Sequence, residues 1–186
     1  MEHNPTAQAP IVRNGRPADA ASRLPKELRT YDLLDSLSIP YLQADHEAAY
    51  TIENCQDVDR LLKTEICKNL FLCNSQKTNF YLLLMPGHKK FRTADVSKQI
   101  GSSRLSFAGP DDLLKYLDLT PGSVSVLGLM NDTQNRVSLL IDREVAESEY
   151  MGCHPCINTS SLKLKTRDVL EIFLPGVGHG YRIVDL

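Results

Sequence analysis

The feature that most constrains the fold is Phe80–Met85, the longest uninterrupted apolar run in the chain. It falls far short of the roughly 20 residues needed to cross a bilayer, but it has the length of a strand buried on both faces. Residues 74–79 before it are mostly Asn, Ser, Lys and Thr, which favour turns, and residues 70–73 are apolar again. The sequence therefore predicts a β-hairpin of residues 70–73 and 80–85 that carries the core.

Helical and extended patterns alternate irregularly along the rest of the chain. Helices are predicted at residues 25–37, 51–65, 93–100, 113–119 and 167–173, and strands at residues 41–44, 104–108, 123–130, 137–141, 160–165 and 181–184. This order predicts an α+β fold, a mixed and mostly antiparallel curled sheet surrounded by helices, rather than a doubly wound sheet. Residues 22–186 are predicted to form one domain. Residues 1–21 have no periodic apolar face and are predicted to be a flexible leader.

Charge and cysteine content narrow the classes of partner and compartment. The formal net charge is −2, so no strong positive field exists to wrap a nucleic acid, and any RNA contact is expected to be local. The five cysteines show no disulfide-framework spacing, and no charged segment followed by an apolar one opens the chain. We therefore expect a soluble, cytoplasmic protein with reduced thiols and no membrane partner.

Several common catalytic motifs are missing from the sequence. It contains no phosphate-binding G-x-x-x-x-G-K-[ST], no dinucleotide-binding G-x-G-x-x-G, no H-E-x-x-H and no G-x-S-x-G. Cys153 and Cys156 form a C-x-x-C, which could be a redox pair or half of a zinc site. The second cysteine pair that a zinc site would need is absent, and a strand rather than a helix follows. The sequence therefore predicts neither a metal site nor a cofactor.

Three places in the chain could carry chemistry. Lys68 stands at the mouth of the strand that continues through residue 73, where its ammonium could meet a ligand, although an ordinary solubilising charge fits as well. His154 lies in a predicted loop between Gly152, which permits close approach of a ligand, and Pro155, although a surface histidine fits the same pattern. Residues 121–125 form a turn whose N–H groups could hold a carbonyl or phosphate oxygen, or only a turn.

The order of these and other segments is more specific than any one of them. The segments are Lys-Asn-Leu-Phe-Leu at 68–72, Leu-Met-Pro-Gly at 84–87, Arg-Leu-Ser-Phe-Ala at 104–108, Leu-Thr-Pro-Gly-Ser-Val-Ser at 119–125, Gly-Leu-Met-Asn-Asp at 128–132, His-Pro at 154–155 and Asn-Thr at 158–159. In this order, from about residue 24 to the end, the chain resembles the YbaK/ProX family. These proteins are free-standing relatives of the editing domain inserted in bacterial prolyl-tRNA synthetase.

The resemblance implies a fold and a set of site residues. The sheet would curl into a partial barrel whose pocket takes the aminoacylated terminal adenosine. Lys68 matches the essential lysine of the family, Asn69 its neighbouring site residue, and His154 the histidine of the pocket that discriminates the amino acid, approached through Gly152. The family's G-x-x-x-P loop, which positions the adenosine and the ester, is matched by Gly122, Ser123, Val124 and Ser125. Val126 departs from the pattern because it replaces the proline.

The function that the resemblance implies is trans-editing. The ProX branch removes alanine mischarged onto proline tRNA, so we expect an aminoacyl-tRNA hydrolase that positions water beside the ester, with Lys68 and His154 as its catalytic residues. A deacylase for cysteinyl- or seryl-tRNA and a non-catalytic binding module remain alternatives. The expected partner is the acceptor end of mischarged tRNA(Pro), aided by basic residues at 88–92 or not at all. Prolyl-tRNA synthetase is a second candidate partner.

Overall fold

The computed structural model describes residues 11–48 and 58–186. The strands in these ranges are β1 Val12–Asn14, β2 Tyr41–Asp45, β3 Lys68–Cys73, β4 Phe80–Met85, β5 Ser106–Phe107, β6 Val137–Asp142, β7 Tyr150–Cys153, β8 Ser160–Lys165 and β9 Tyr181–Val184. The helices are Pro25–Ser36, residues 58–62, Thr93–Ile100, Pro110–Leu117, Arg143–Glu147 and a final helical segment that runs from Thr166–Asp168 through the π-helical Val169–Phe173 to Leu174–Gly176. Short 3₁₀ helices occupy Ala20–Ser22 and Val126–Asn131.

The strands form two sheets. One is antiparallel throughout, in the order β1-β2-β8-β7, and the other is mixed, in the order β5-β3-β4-β6-β9, with β4, β6 and β9 parallel. A single parallel bridge between Ile66 and Gly152 joins the start of β3 to β7. The described strands thus form two sheets that meet at one edge without closing a barrel, which confirms the predicted α+β class with a curled, mixed sheet.

The predicted hairpin is confirmed as β3 and β4, which pair from Lys68 with Met85 to Cys73 with Phe80. Asn74 fixes the connecting turn, because its Oδ1 accepts hydrogen bonds from the N–H groups of Thr78 and Asn79 at 2.9 and 3.1 Å. Strand β4 is buried on both faces, as its continuous apolar sequence predicts. Its alternate residues enter two different hydrophobic clusters.

The main core lies between the two sheets and the helix Pro25–Ser36. It contains Tyr31 and Leu34 of that helix together with Phe71 of β3, Met151 of β7 and Leu162 of β8. A smaller cluster, built around Leu72, Leu83 and Val96, packs the helix Thr93–Ile100 on the other side of β3 and β4. Because strand residues alternate between faces, β3 divides its side chains between the two clusters.

Three sequence predictions need correction. Residues 126–131 are a 3₁₀ helix rather than part of a strand, because their apolar side chains are buried in one compact turn and Ser125 caps it by accepting from the Leu127 N–H at 3.2 Å. Residues 152–153 belong to β7 rather than to a loop. Val12–Asn14 of the predicted leader pairs with β2, so order begins before Ser22.

Other predicted boundaries are partly right. The helix predicted at 113–119 begins at Pro110 and ends at Leu117. The helix Thr93–Ile100 ends at Gly101 as predicted, where φ is 68° and favours glycine. Of the helix predicted at 51–65, residues 58–62 are helical and residues 51–57 lie outside the described residues. None of the helices in the described part of the chain is long and apolar enough to cross a membrane.

Candidate active site

The bridge between Ile66 and Gly152 sets the geometry of the site. The Gly152 N–H donates to Glu65 O at 3.1 Å and the Cys67 N–H donates to Gly152 O at 3.0 Å. Two residues beyond the bridged pair stand Lys68 on one chain and His154 on the other. Paired residues of parallel strands lie about 5 Å apart. The chains that lead to Lys68 and His154 therefore leave the bridge side by side. The bridge is isolated, so the chains diverge there.

The neighbours of Lys68 and His154 indicate that neither of these two side chains enters the main core. The flanking residues Cys67, Phe71 and Cys153 all enter the main core. Because side chains alternate along a strand, Lys68 and His154 project from the opposite face. The bridge thus places the chain segments that lead into Lys68 and His154 side by side, although they are far apart in sequence.

Gly152 has a different role from the one predicted. Both of its backbone hydrogen-bonding groups are used in the bridge, so they are not directed at a ligand. A Cβ at this position would lie 2.8 Å from Glu65 O and 2.5 Å from Ile66 Cδ1. The missing side chain therefore allows residues 65–66 to approach β7, which holds the two sheets together.

Lys68 is exposed, and its Nζ donates to Lys89 O at 2.9 Å. An ammonium has three donor hydrogens, so the group retains capacity for a phosphate or carbonyl oxygen. In the described residues no hydrogen bond joins Lys68 to residues 122–126.

Lys89, whose carbonyl accepts from Lys68, is itself held by an ion pair. Lys89 Nζ lies 2.8 Å from Oδ1 of the fully buried Asp142 and 3.2 Å from Glu144 Oε2. The Asp142 carboxylate raises the pKa of the Lys89 ammonium, with Glu144 acting in the same direction and partial burial against it. The positive charge of Lys89 is thus already neutralised. Of the basic residues predicted to aid RNA binding, Lys90 and Arg92 are exposed.

Asn69 projects from β3 toward the opposite face from Lys68, on the side of the main core. Its Nδ2 donates to Cys67 O at 2.9 Å, which fixes the orientation of the amide, because the carbonyl can only accept. Its Oδ1 is buried and has no hydrogen-bond partner within residues 11–48 and 58–186. A buried acceptor without a donor costs about 1–3 kcal/mol, so this oxygen is suited to a donor group on a ligand.

His154 is held from β8. Its Nδ1 lies 2.9 Å from Ser160 O, and since a carbonyl oxygen can only accept, Nδ1 carries the proton. Burial lowers the pKa of the imidazole below its ordinary value, with the nearby His46 ring acting in the same direction and the Ser160 carbonyl against it. The neutral ring is therefore favoured at physiological pH, and Nε2 presents a lone pair directed away from β8.

A second histidine, which sequence reasoning missed, lies beside it. The rings of His46 and His154 are 6.1 Å apart between centroids, and His46 Nε2 lies 2.8 Å from Ser161 Oγ. The same hydroxyl lies 3.2 Å from His154 Nδ1. No local motif marks this group, because it forms only where β2 and β8 pair with Asp45 opposite Ser160.

The glycine turn is connected to His154 rather than to Lys68. Gly122 has φ 88°, which favours glycine, and leads into a buried stretch. Ser125 Oγ donates to His154 O at 2.6 Å, and Ser123 Oγ donates to Thr120 O at 2.9 Å. Both serine hydroxyls are thus used within the chain. The N–H groups of Gly122, Val124 and Ser125 have no acceptor within the described ranges, which leaves three backbone donors on this turn.

Val126, which replaces the proline of the resembled family, is fully buried as the first residue of the 3₁₀ helix. Its side chain belongs to the main core. The end of the turn is therefore held by packing and by the Ser125 cap, without the restriction that a proline ring imposes on φ.

The C-x-x-C cysteines are packed in the interior. Cys153 and Cys156 are buried and unbonded to one another. Burial raises the pKa of the Cys153 thiol above its ordinary range and that of Cys156 to about 11. Because the thiolate is the nucleophile and metal ligand, these two thiols are poorly suited to redox or metal chemistry.

Comparisons with known proteins agree on one family. Residues 46–172 match the family model described as an aminoacyl-tRNA editing domain. The chain is 33% identical over 153 residues to the prolyl-tRNA editing protein ProX of Acetoanaerobium sticklandii, which covers 82% of the chain and 93% of that protein. It is 30% identical over 164 residues to the prolyl-tRNA synthetase associated domain-containing protein 1 of Mus musculus, covering 86% and 95%.

Solved structures share the fold at low sequence identity. A crystal structure provisionally described as a trans-editing enzyme for prolyl tRNA synthetase has a TM-score of 0.67 at 14% identity, covering 88% of this chain and 98% of that one. A hypothetical protein of known structure has a TM-score of 0.61, also at 14% identity, covering 83% and 95%. These likenesses concern the fold alone.

Proposed function

The chain belongs to the aminoacyl-tRNA editing domain family, and from this premise we propose that it hydrolyses the ester of mischarged alanyl-tRNA(Pro) in trans. The relative from Acetoanaerobium sticklandii is named for prolyl-tRNA editing, and most of both chains align.

The observation that carries the proposal is the Ile66–Gly152 bridge, which lies two residues before Lys68 on one chain and two residues before His154 on the other. The exposed ammonium of Lys68 is suited to the terminal phosphate or to the ester carbonyl. The unprotonated Nε2 of His154 is suited to accept a hydrogen bond from the attacking water. A cation and a hydrogen-bond acceptor that reach the same ester would meet the needs of its hydrolysis, since the ester is already activated.

Two further groups would complete the site. The N–H groups of Gly122 and Val124 are candidates to stabilise the oxyanion that forms as water attacks; one such donor is worth roughly 2.7–4 kcal/mol. The buried Oδ1 of Asn69 lies on the opposite face of β3 from Lys68, so it would accept only from a part of the substrate that extends past the start of this strand, such as the α-ammonium group or a ribose hydroxyl. No covalent nucleophile is needed, because the aminoacyl ester is already reactive.

The preference for alanine follows from size. A pocket that admits alanine but overlaps with proline acts as the second sieve of editing, hydrolysing only what is small enough to enter. Cysteine and serine differ from alanine by one heavy atom, so steric exclusion alone discriminates weakly among these three. The amino-acid preference is the part of the proposal that depends most on measurement.

The test is a deacylation panel with alanyl-, cysteinyl-, seryl- and prolyl-tRNA(Pro). We expect alanyl-tRNA(Pro) to be hydrolysed fastest and prolyl-tRNA(Pro) to survive. A preference for cysteinyl- or seryl-tRNA would replace the substrate, and no turnover of any of the four would refute the hydrolase. Replacing the free ribose hydroxyl of the terminal adenosine by hydrogen should slow hydrolysis strongly if that hydroxyl orients the water, and an unchanged rate would remove this step.

A further inference from the structure

We propose that His46 and Ser161 are positioning residues for His154, which act together with the Ser160 carbonyl to hold its imidazole in the Nδ1–H tautomer with Nε2 free for the substrate or water. The inference rests on the proposed function for its consequence in catalysis. Its structural content, the tautomer and what fixes it, is independent of any activity.

The hydrogen bonds allow only one direction of donation. His46 Nδ1 lies 2.7 Å from Glu47 O, which can only accept, so this nitrogen carries the proton and His46 Nε2 is an acceptor. The Ser161 hydroxyl therefore donates its proton to His46 Nε2. Its oxygen lone pair is then left to face His154 Nδ1, which must donate. A carbonyl terminates the chain of bonds at each end, Glu47 O at one and Ser160 O at the other.

Strand pairing makes the arrangement rigid. Ser161 is fully buried on β8 and stands opposite Ala44 of β2. The His46 N–H donates to Thr159 O at 3.0 Å, which extends the ladder one step past Asp45. The histidine after β2 and the serine on β8 are thus held by backbone bonds, and the position of Ser161 Oγ follows from the register.

The direction of Nε2 follows from the order of the strands. His154 follows β7, which lies between β8 and the bridge to Ile66. Because Nδ1 faces β8, Nε2 lies on the side of the ring away from β8. If the tautomer were reversed, a proton rather than a lone pair would face the substrate, and the ring could not accept from water.

The most direct test is ¹⁵N NMR of the imidazole rings, which distinguishes the two neutral tautomers. We expect His154 and His46 to be Nδ1–H in the wild-type protein. His179 is an internal reference of opposite type, because its Nε2 lies 3.0 Å from Asp132 O and must carry the proton. A wild-type His154 found in the Nε2–H form would overturn the proposal.

Variants test what fixes the tautomer. In His46→Ala the Ser161 hydroxyl loses its acceptor and can donate to His154 Nδ1 instead. We therefore expect a mixture of tautomers at His154, while His179 keeps its single tautomer. His46→Gln keeps an acceptor for Ser161 and should restore the Nδ1–H form. Ser161→Ala removes the hydroxyl but leaves Ser160 O, so we expect the tautomer to persist with a less restrained ring. An unchanged tautomer in His46→Ala would overturn the proposal.

Kinetics separate positioning from a merely structural role. We expect His46→Ala to lower kcat about tenfold, within the range for loss of part of an acid–base contribution, with KM nearly unchanged. His46→Gln should recover most of kcat, and Glu171→Ala, at an exposed position of the final helical segment, should change neither constant. Equal kinetics in His46→Ala and wild type would refute the catalytic consequence. If the wild-type protein hydrolyses no aminoacyl-tRNA, the proposed function fails while the tautomer result stands.

Discussion

Lys68 and His154, which each follow the bridged pair by two residues, are held in opposite ways. His154 is half-buried and constrained at Nδ1 by a backbone carbonyl and a buried hydroxyl. Lys68 is exposed, and its Nζ donates to the carbonyl of Lys89, a residue whose own side chain is held by an ion pair with Asp142. The difference teaches that the fold fixes the orientation of the imidazole, whose lone pair must point toward the substrate. The ammonium of Lys68 acts as a compact charge, so it needs only to lie close to the substrate.

Removing the charge of Lys68 should give the largest effect. We expect Lys68→Ala to reduce deacylation about 10²–10³-fold, the usual loss when one stabilising donor is removed. Because the side chain is exposed, the thermal midpoint should stay near that of wild type. Lys98→Ala, at an exposed lysine of the helix Thr93–Ile100, is the matched control and should keep activity. Near-normal hydrolysis by a folded Lys68→Ala protein would remove this residue from the mechanism.

Breaking the ion pair between Lys89 and Asp142 should act mainly on stability. Lys89→Ala leaves the Asp142 carboxylate buried without its cation, and we expect a loss of about 2 kcal/mol in the free energy of unfolding. This loss is smaller than that expected when a fully buried ion pair is broken, because Lys89 is partly exposed. Urea unfolding measures it. Adding Asp142→Asn should recover part of the loss, and a double variant no better than Lys89→Ala would refute the charge argument.

The bridge itself can be tested with two glycines. Gly152→Ala places a Cβ against the Glu65 backbone oxygen, which cannot move aside cheaply, so we expect about 1–3 kcal/mol of destabilisation. Gly87→Ala meets the Glu65 carboxylate at the same 2.8 Å, but that oxygen ends a flexible exposed side chain, so the cost should be smaller. Equal losses in urea unfolding would contradict the role assigned to Gly152.

A smaller effect follows from the pKa of His154. Burial lowers this pKa in the folded state, so below about pH 6.5 the unfolded chain takes up a proton that the folded ring resists. Stability is therefore lost as pH falls, by up to about 1 kcal/mol for one group over one pH unit. His154→Gln should lose less between pH 6.5 and 5.5 than wild type, and identical slopes would contradict the assigned shift.

Local chemistry explains what the sequence could predict. The hairpin of β3 and β4 follows from an apolar run beside an Asn-rich turn, and the stop at Gly101 from a left-handed glycine. The segment Val126–Asn131 was wrongly predicted as extended, because a short apolar run has no periodicity that separates a strand from a buried helix.

The rest of the site depends on contacts between distant segments. Lys68 and His154 were identified through family resemblance, but nothing in the sequence specified the bridge that aligns them. The roles of His46 and Ser161 depend on the register of β2 with β8, and that of Lys89 on Asp142 in another strand. Each of these pairs joins elements far apart in sequence, and such pairing is set by packing rather than by local pattern.

The central claim, that Lys68 and His154 hold one ligand between them, is tested most directly by NMR titration with a stable amide analogue, 3′-alanylamino-3′-deoxyadenosine. The imidazole of His154 and the Lys68 side chain should both shift and give one dissociation constant, while His179 stays unchanged. Shifts at only one of the two residues, or different affinities at each, would contradict the account.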